Sequence, residues 1–219
     1  MHKQKKNNFI ILIPAFNELI NLKKFINKIK KIGPVCVLDD ASKDKTSSWL
    51  KKNKINFIKN KKNLGYEHNL YNGIIKFRGK FSYIVTFDAD GEHKINDLKK
   101  IIKKNLYIKN NITICNRIKK NRFLEEIISF FFFIFYGIKD PLSGFKVYSS
   151  SIFKKKMIIK KIFLVDIVLE NIKNKKIKNF QISTNKREGK SRVGNILFTN
   201  FKLVKIFLNI IIYKFLSYH

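Results

Sequence analysis

Little in this sequence serves the classes of protein that depend on cysteine, arginine or long apolar runs. Two cysteines in 219 residues, Cys36 and Cys115, support neither a disulfide framework nor a zinc site. Each lies inside an apolar run, where a free cysteine packs as a small hydrophobe. Arginine occurs five times, so lysine carries nearly all of the +32 formal charge. Base-reading proteins lean on arginine, and the lysines are spread along the whole chain among Asn, Ile and Phe. That spread reads as compositional drift, and what it leaves is a general attraction to anionic surfaces. Crossing a bilayer takes about 20 mostly apolar residues. Neither residues 127–138 nor residues 201–216, the latter interrupted by Lys202, Lys205, Asn209 and Lys214, reach that standard. Residues 1–8 are basic and lack the apolar stretch and cleavage site of a signal peptide, which predicts a cytoplasmic protein.

What is present suits one well-buried domain over residues 1–219, with 45% hydrophobic content and neither a repeat nor a linker. Residues 9–13 form a short apolar run stopped by Pro14, which reads as a strand. Leu22, Phe25, Ile26, Ile29 and Ile32 then recur at helical spacing over residues 19–32. Gly33 and Pro34 end that helix, and a strand over residues 35–38 runs into Asp39 and Asp40. The alternation continues with a helix over 46–52, a strand at 55–58, a helix over 69–77 and a strand at 81–87. Next come a helix over 97–107, a strand at 112–115, a helix over 123–136 and a strand near 145–148. Later segments are less periodic: a helix near 165–172, a polar stretch over 183–195 and a final helix from about 196. Such alternation predicts an α/β fold, a mostly parallel sheet with helices on both faces. Ligands of these sheets collect at the carboxyl ends of the strands, where this chain places residues 14–18, Asp39 with Asp40, and residues 88–92.

Asp88 and Asp90 follow an apolar run and put two carboxylates at one strand end. Hard cations such as Mg²⁺ take carboxylate oxygens and keep positions for substrate phosphates. An Asp-Gly turn in solvent explains the same residues without any metal, because Asp-x-Asp alone is a weak signal.

Context raises it. The segments Ile11-Leu12-Ile13-Pro14-Ala15-Phe16-Asn17-Glu18, Val37-Leu38-Asp39-Asp40-Ala41-Ser42-Lys43-Asp44-Lys45-Thr46, Asn63-Leu64-Gly65 with Gly73 and Gly79, and Phe87-Asp88-Ala89-Asp90-Gly91-Glu92-His93 occur in that order. They are followed by Cys115-Asn116-Arg117, by Asp140-Pro141-Leu142-Ser143-Gly144-Phe145-Lys146, and by residues 186–192. Together these blocks resemble the family 2 glycosyltransferases of the GT-A fold, in particular enzymes similar to dolichol-phosphate mannose synthase.

The resemblance implies roles. Pro14, Phe16 and Glu18 would line the nucleotide pocket, Asp39 and Asp40 would contact base and ribose, and Ala89 would belong to the same site. Asp88 and Asp90 would hold Mg²⁺ or Mn²⁺ against the diphosphate, with Glu92 beside them where relatives often carry Gln. Arg117, Lys186 and Arg192 would add fixed positive charge to the leaving group, and the polar loop around Gly189 and Ser191 would close over substrate. Helix capping is the other reading of Asp39, Asp40, Ser42 and Asp44, with capping expected of Ser42 or Asp44 and binding of Asp39. Asp140 is either a turn residue before Pro141 or a base, which a hydroxyl acceptor would need and an ionised lipid phosphate would not.

Several positions depart from the family pattern. Ala41 stands in place of the usual Gly, Phe16 where Tyr is common, and Lys186 with Arg192 inverts an Arg/Lys order, with Arg187 as a substitute. Asp166 stands where relatives carry Glu, and the segment 180–185 lacks the usual Glu-x-Pro.

The expected activity is metal-dependent, inverting transfer of a sugar from a GDP- or UDP-sugar to a membrane-bound acceptor. Polyprenyl phosphate ranks first as acceptor and a surface polysaccharide or lipopolysaccharide glycan second. The phenylalanine-rich helix near 127–136 and an in-plane amphipathic helix over 195–219 point to peripheral attachment at the cytoplasmic face of a membrane. A nucleotidyltransferase would want a Gly-rich phosphate loop, which residues 14–18 do not offer. A nucleic-acid-binding protein would leave the aspartate clusters unexplained. Oligomeric state and any membrane-protein partner stay open.

Overall fold

A computed structural model describes residues 8–104, 111–120, 122–153, 167–168 and 177–185. Among them are seven strands: β1 (Phe9–Ala15), β2 (Val35–Asp39), β3 (Phe57–Lys59), β4 (Tyr83–Thr86), β5 (Ile112–Arg117), β6 (Lys146–Ser149) and β7 (Ile177–Ile182). Five helices accompany them: α1 (Leu19–Lys30), α2 (Thr46–Lys52), α3 (Tyr66–Phe77), α4 (Ile95–Lys103) and α5 (Phe123–Tyr136). The strands form one sheet in the order β3-β2-β1-β4-β6-β5-β7. Pairing is parallel except along β6, which runs against both β4 and β5.

Both faces of the sheet are covered, so its inner strands are continuous apolar runs rather than alternating ones. The two-residue period survives in where the side chains go. Ile10, Leu12, Cys36, Leu38 and Ile84 join one core with Leu70 and Ile74 of α3 and Ile128 and Phe132 of α5. Ile11, Ile13, Val35, Val37 and Val85 join the other with the buried stripes of α1 and α4 and Leu50 of α2. At Gly73 a Cβ would collide with the Leu38 side chain, so α3 lies this close to β2 only because glycine is there.

Most expected elements are found, with shifted ends. The first strand does not stop at Pro14 but pairs on through Ala15 with Asp39. Its pairing with β4 ends at Leu12, whose carbonyl accepts from Phe87. Pro14 therefore lacks an N–H only on a side where no ladder remains. Ile55 is not in a strand, because its N–H is bonded to Leu50 at the end of α2, and β3 starts at Phe57. β7 is an addition to the expected set. Its sequence, IKNFQI, is largely polar and half-exposed, as suits an edge strand. Ile167 and Val168 are helical and buried, whereas the rest of the 165–172 helix, Asp166, residues 186–195 and the helix from 196 lie outside the described residues.

Candidate functional site

Parallel pairing of β2, β1 and β4 puts Asp39 and Asp88 at the same edge of the sheet, and the loops there are stitched together by side chains. Asn17, at φ 55°, accepts from the backbone of Lys43 (2.8 Å) and Asp44 (3.3 Å), while its own N–H donates to Ser42 Oγ (2.9 Å). Pro14 is buried and Phe16 half-buried on this loop, and Glu18 closes it at the start of α1, accepting from Asn21 Nδ2 at 2.6 Å.

Asp39 is fully buried, and both its oxygens are engaged within its own loop, by the Ser42 N–H (3.0 Å) and the Ser47 hydroxyl. Asp40 reaches across to the next loop. It accepts from Asn60 Nδ2 (2.8 Å), Leu64 N (2.9 Å) and Gly65 N (2.8 Å). Of the expected caps, Asp44 bonds the N–H of Thr46 at 2.9 Å, and Ser42 instead receives Asn17. Two of the donors share Asp40 Oδ1, and Gly65 takes Oδ2.

Gly65 leads into Tyr66, whose hydroxyl donates to Asp88 Oδ1 at 2.8 Å. His93 Nε2 lies 3.2 Å from the other Asp88 oxygen, its ring held between Phe87 and Phe145. A Cβ at Gly144 would overlap the Asp88 carboxylate, so the Ser-Gly-Phe block is cut to fit this aspartate. Asp88 is about one-fifth exposed at 21%, whereas Asp90 is buried with Oδ1 accepting from the Glu92 N–H at 3.1 Å. Ala89 between them is buried.

The far side of this edge is a buried ion cluster around Arg117. Its Nε and Nη2 donate to the two Asp140 oxygens at 2.9 and 3.1 Å, and its backbone N–H donates at 3.0 Å to the oxygen that takes Nε. Glu125 of α5 lies 3.2 Å and Glu92 3.6 Å from the same guanidinium. Burial alone would depress the Arg117 pKa, and the three carboxylates more than reverse this, holding it above its ordinary value. Burial would likewise raise Asp140, yet the guanidinium holds that carboxyl below its ordinary value.

Lys146 is buried beneath the cluster with its ammonium on the Ser143 carbonyl. Burial lowers its pKa to about 8, against the opposing pull of Asp140, Glu67 and Asp88.

Two expectations change here. Asp140 has no solvent-facing oxygen and is committed to Arg117, so in this arrangement it cannot meet an acceptor hydroxyl. Glu92 turns its carboxylate toward Arg117 rather than toward Asp88, because the guanidinium is the nearby charge. Nothing in the sequence pattern assigns a role to Tyr66, His93, Glu125 or Lys146. Tyr66 adjoins a recognised block and His93 and Lys146 end two others, which is the available signal. Lys186 and Arg192 lie outside the described residues, but Asn185 donates to the Gly91 and Glu92 carbonyls at 3.2 and 2.9 Å.

Oxygen donors of Asp88 and Asp90 suit Mg²⁺ or Mn²⁺, which one or two carboxylates hold together with substrate phosphates. Among the described residues there is no ready group of three or more protein ligands.

The profile of the Glycosyl transferase family 2 matches residues 10–163. A dolichyl-phosphate beta-glucosyltransferase of Dictyostelium discoideum is 30% identical over 175 residues, covering 64% of this chain and 53% of that protein. A UDP-N-acetylglucosamine–dolichyl-phosphate N-acetylglucosaminyltransferase of Methanococcus voltae is 26% identical, over 66% of this chain and 70% of that one. The chain thus spans about half the length of the first relative. Among solved structures, glucosyl-3-phosphoglycerate synthase of Mycobacterium tuberculosis, in complex with Mn²⁺, UDP and glucosyl-3-phosphoglycerate, superposes with a TM-score of 0.68. That match covers 84% of this chain and 73% of that one at 12% identity, so it speaks for the fold alone.

Proposed function

The chain belongs to glycosyl transferase family 2 and has the GT-A fold, and from that premise we propose that it moves a sugar from a GDP- or UDP-sugar to polyprenyl phosphate. The whole chain, residues 1–219, acts in this reading as one domain, with 195–219 lying on the membrane at its cytoplasmic face. Support for the lipid acceptor comes from the two dolichyl-phosphate relatives, and for nucleotide and metal from the Mn²⁺ and UDP bound in the structural neighbour.

The observation that carries the choice of acceptor is the state of Asp140. A hydroxyl must give up a proton as it attacks, and the carboxylate nominated as base is buried, ion-paired and held below its ordinary pKa. A lipid phosphate is already ionised and needs no base. Its oxygen bonds to the anomeric carbon from one face while the bond to the nucleoside diphosphate breaks on the other, inverting the configuration. Transfer to a glycan hydroxyl, the second reading, would require another base.

In this proposal Pro14, Phe16, Glu18, Asp39 and Asp40 shape the nucleotide pocket, with Ala89 packed beneath. Asp88 and Asp90 would hold a divalent cation, which would supply charge neutralisation at the departing diphosphate. Arg117, Lys186 and Arg192 would supply positive charge to the departing diphosphate, and Asp140 and Glu125 hold the Arg117 guanidinium. Incubation with labelled nucleotide sugars and polyprenyl phosphate, with and without EDTA, tests the scheme. Asp88→Asn should lower transfer about 10³-fold with the melting temperature unchanged within a few degrees. Metal-independent transfer, or transfer only to glycan, would refute it.

A further inference from the structure

We infer that the outer face of α5 docks on an anionic lipid bilayer, which rests on the membrane-bound acceptor proposed above and says where the protein meets the membrane. One side of α5 is core, with Ile128 and Phe132 buried. The opposite side leaves Phe123 77%, Phe130 61%, Ile134 56% and Phe133 50% exposed, with Phe135 beside them. A face of this size and aromaticity is uncommon on a protein surrounded by water alone.

Its rim indicates the occupant. Lys119, Arg122 and Lys139 flank the helix, and a groove of about 770 Å³ runs along it with Lys120 and Lys139 on its walls against a single carboxylate, Glu126. The Lys139 ammonium sits 5.9 Å from the centre of the Phe133 ring. Bases around an aromatic face match lipid phosphates around acyl chains, and the charge of +32 acts in the same sense. Among the described residues no helix is long and apolar enough to cross a membrane, and the 14 residues of α5 span only about 21 Å, so α5 lies in the interface plane.

Position connects this face to the chemistry. Glu125, on the buried side of the first turn of α5, is 3.2 Å from Arg117, so the helix borders the ion cluster with one side and offers the bilayer the other.

The test uses vesicles of phosphatidylcholine with and without phosphatidylglycerol, sedimented with the full chain in the absence of nucleotide sugar. Wild type should sediment with the anionic vesicles, less so at high salt, and Phe130→Ser/Phe133→Ser should weaken partitioning at least about tenfold with an unchanged circular dichroism spectrum. Phe130→Trp supplies a readout that needs no loss of binding: the emission of the introduced indole should shift to the blue and be quenched by brominated acyl chains, after correction for Trp49. Vesicle-bound protein whose introduced indole escapes quenching overturns the inference. So does a dimer that the double variant dissolves while vesicle binding persists, which would assign the face to a second copy. Because no sugar donor is present, failure of the transfer assay leaves this outcome readable on its own.

Discussion

At the end of β2, Asp39 and Asp40 are as buried as Glu92 and Asp140 across the same sheet edge, yet the two groups are used differently. The β2 carboxylates take neutral donors: backbone N–H groups of Ser42, Leu64 and Gly65, the Ser47 hydroxyl and the Asn60 amide. They fix the shape of loops. Around β5 the carboxylates of Asp140, Glu125 and Glu92 surround one guanidinium, so charge rather than backbone shape is what they balance. A buried carboxylate can thus serve as a loop clamp or as a counter-ion, and its neighbours decide which.

The largest break of this contrast comes from Arg117→Met, which strands three buried carboxylates. It should cost about 3–5 kcal/mol in urea unfolding at pH 7, and Arg117→Met/Asp140→Leu should recover part of that loss. A cost under about 1 kcal/mol would place the β5 cluster with the clamps.

Lys146 sharpens the contrast by pH. Its folded pKa is about 8 against an ordinary 10.5, so between those values the unfolded chain holds a proton that the folded chain has released. Stability therefore rises with pH across that window, by roughly 3 kcal/mol from this group. The stability advantage of Lys146→Met over wild type should shrink by that amount from pH 8 to 10.5 in denaturant titrations.

Asp40→Ala removes an acceptor from three neutral donors and should cost less, about 1–3 kcal/mol by the same measurement. The smallest effect belongs to the loop itself. Ala41 sits at φ 59°, in the left-handed region that costs an L-residue about 1–2 kcal/mol. Ala41→Gly relieves that strain and gives back part of it in chain entropy, for a gain of about 0.5–1 kcal/mol seen as a higher Tm. The family's glycine at this position has here its backbone reason.

Hydropathy period carried most of the fold. The β–α alternation through β4 was readable because each strand is a continuous apolar run and each helix an apolar stripe, as in α1 with Leu22, Phe25, Ile26 and Ile29. β7 was not readable, since an edge strand with Lys178, Asn179 and Gln181 carries no such pattern. Nor was the reversal of β6, because a strand of four residues reads the same in either direction.

Residue type and order by themselves determined the family, the mostly parallel β–α alternation and the edge on which the aspartates gather, because periodicity and motif spacing are local properties of the chain. Only the tertiary structure decided which charge each carboxylate meets. That Asp140 and Glu92 turn to Arg117, that Tyr66 and His93 hold Asp88, and that Gly144 makes room for it are contacts between residues 5 to 56 positions apart. Electrostatic pairing depends on distances of a few ångströms in space, which spacing along the chain does not contain.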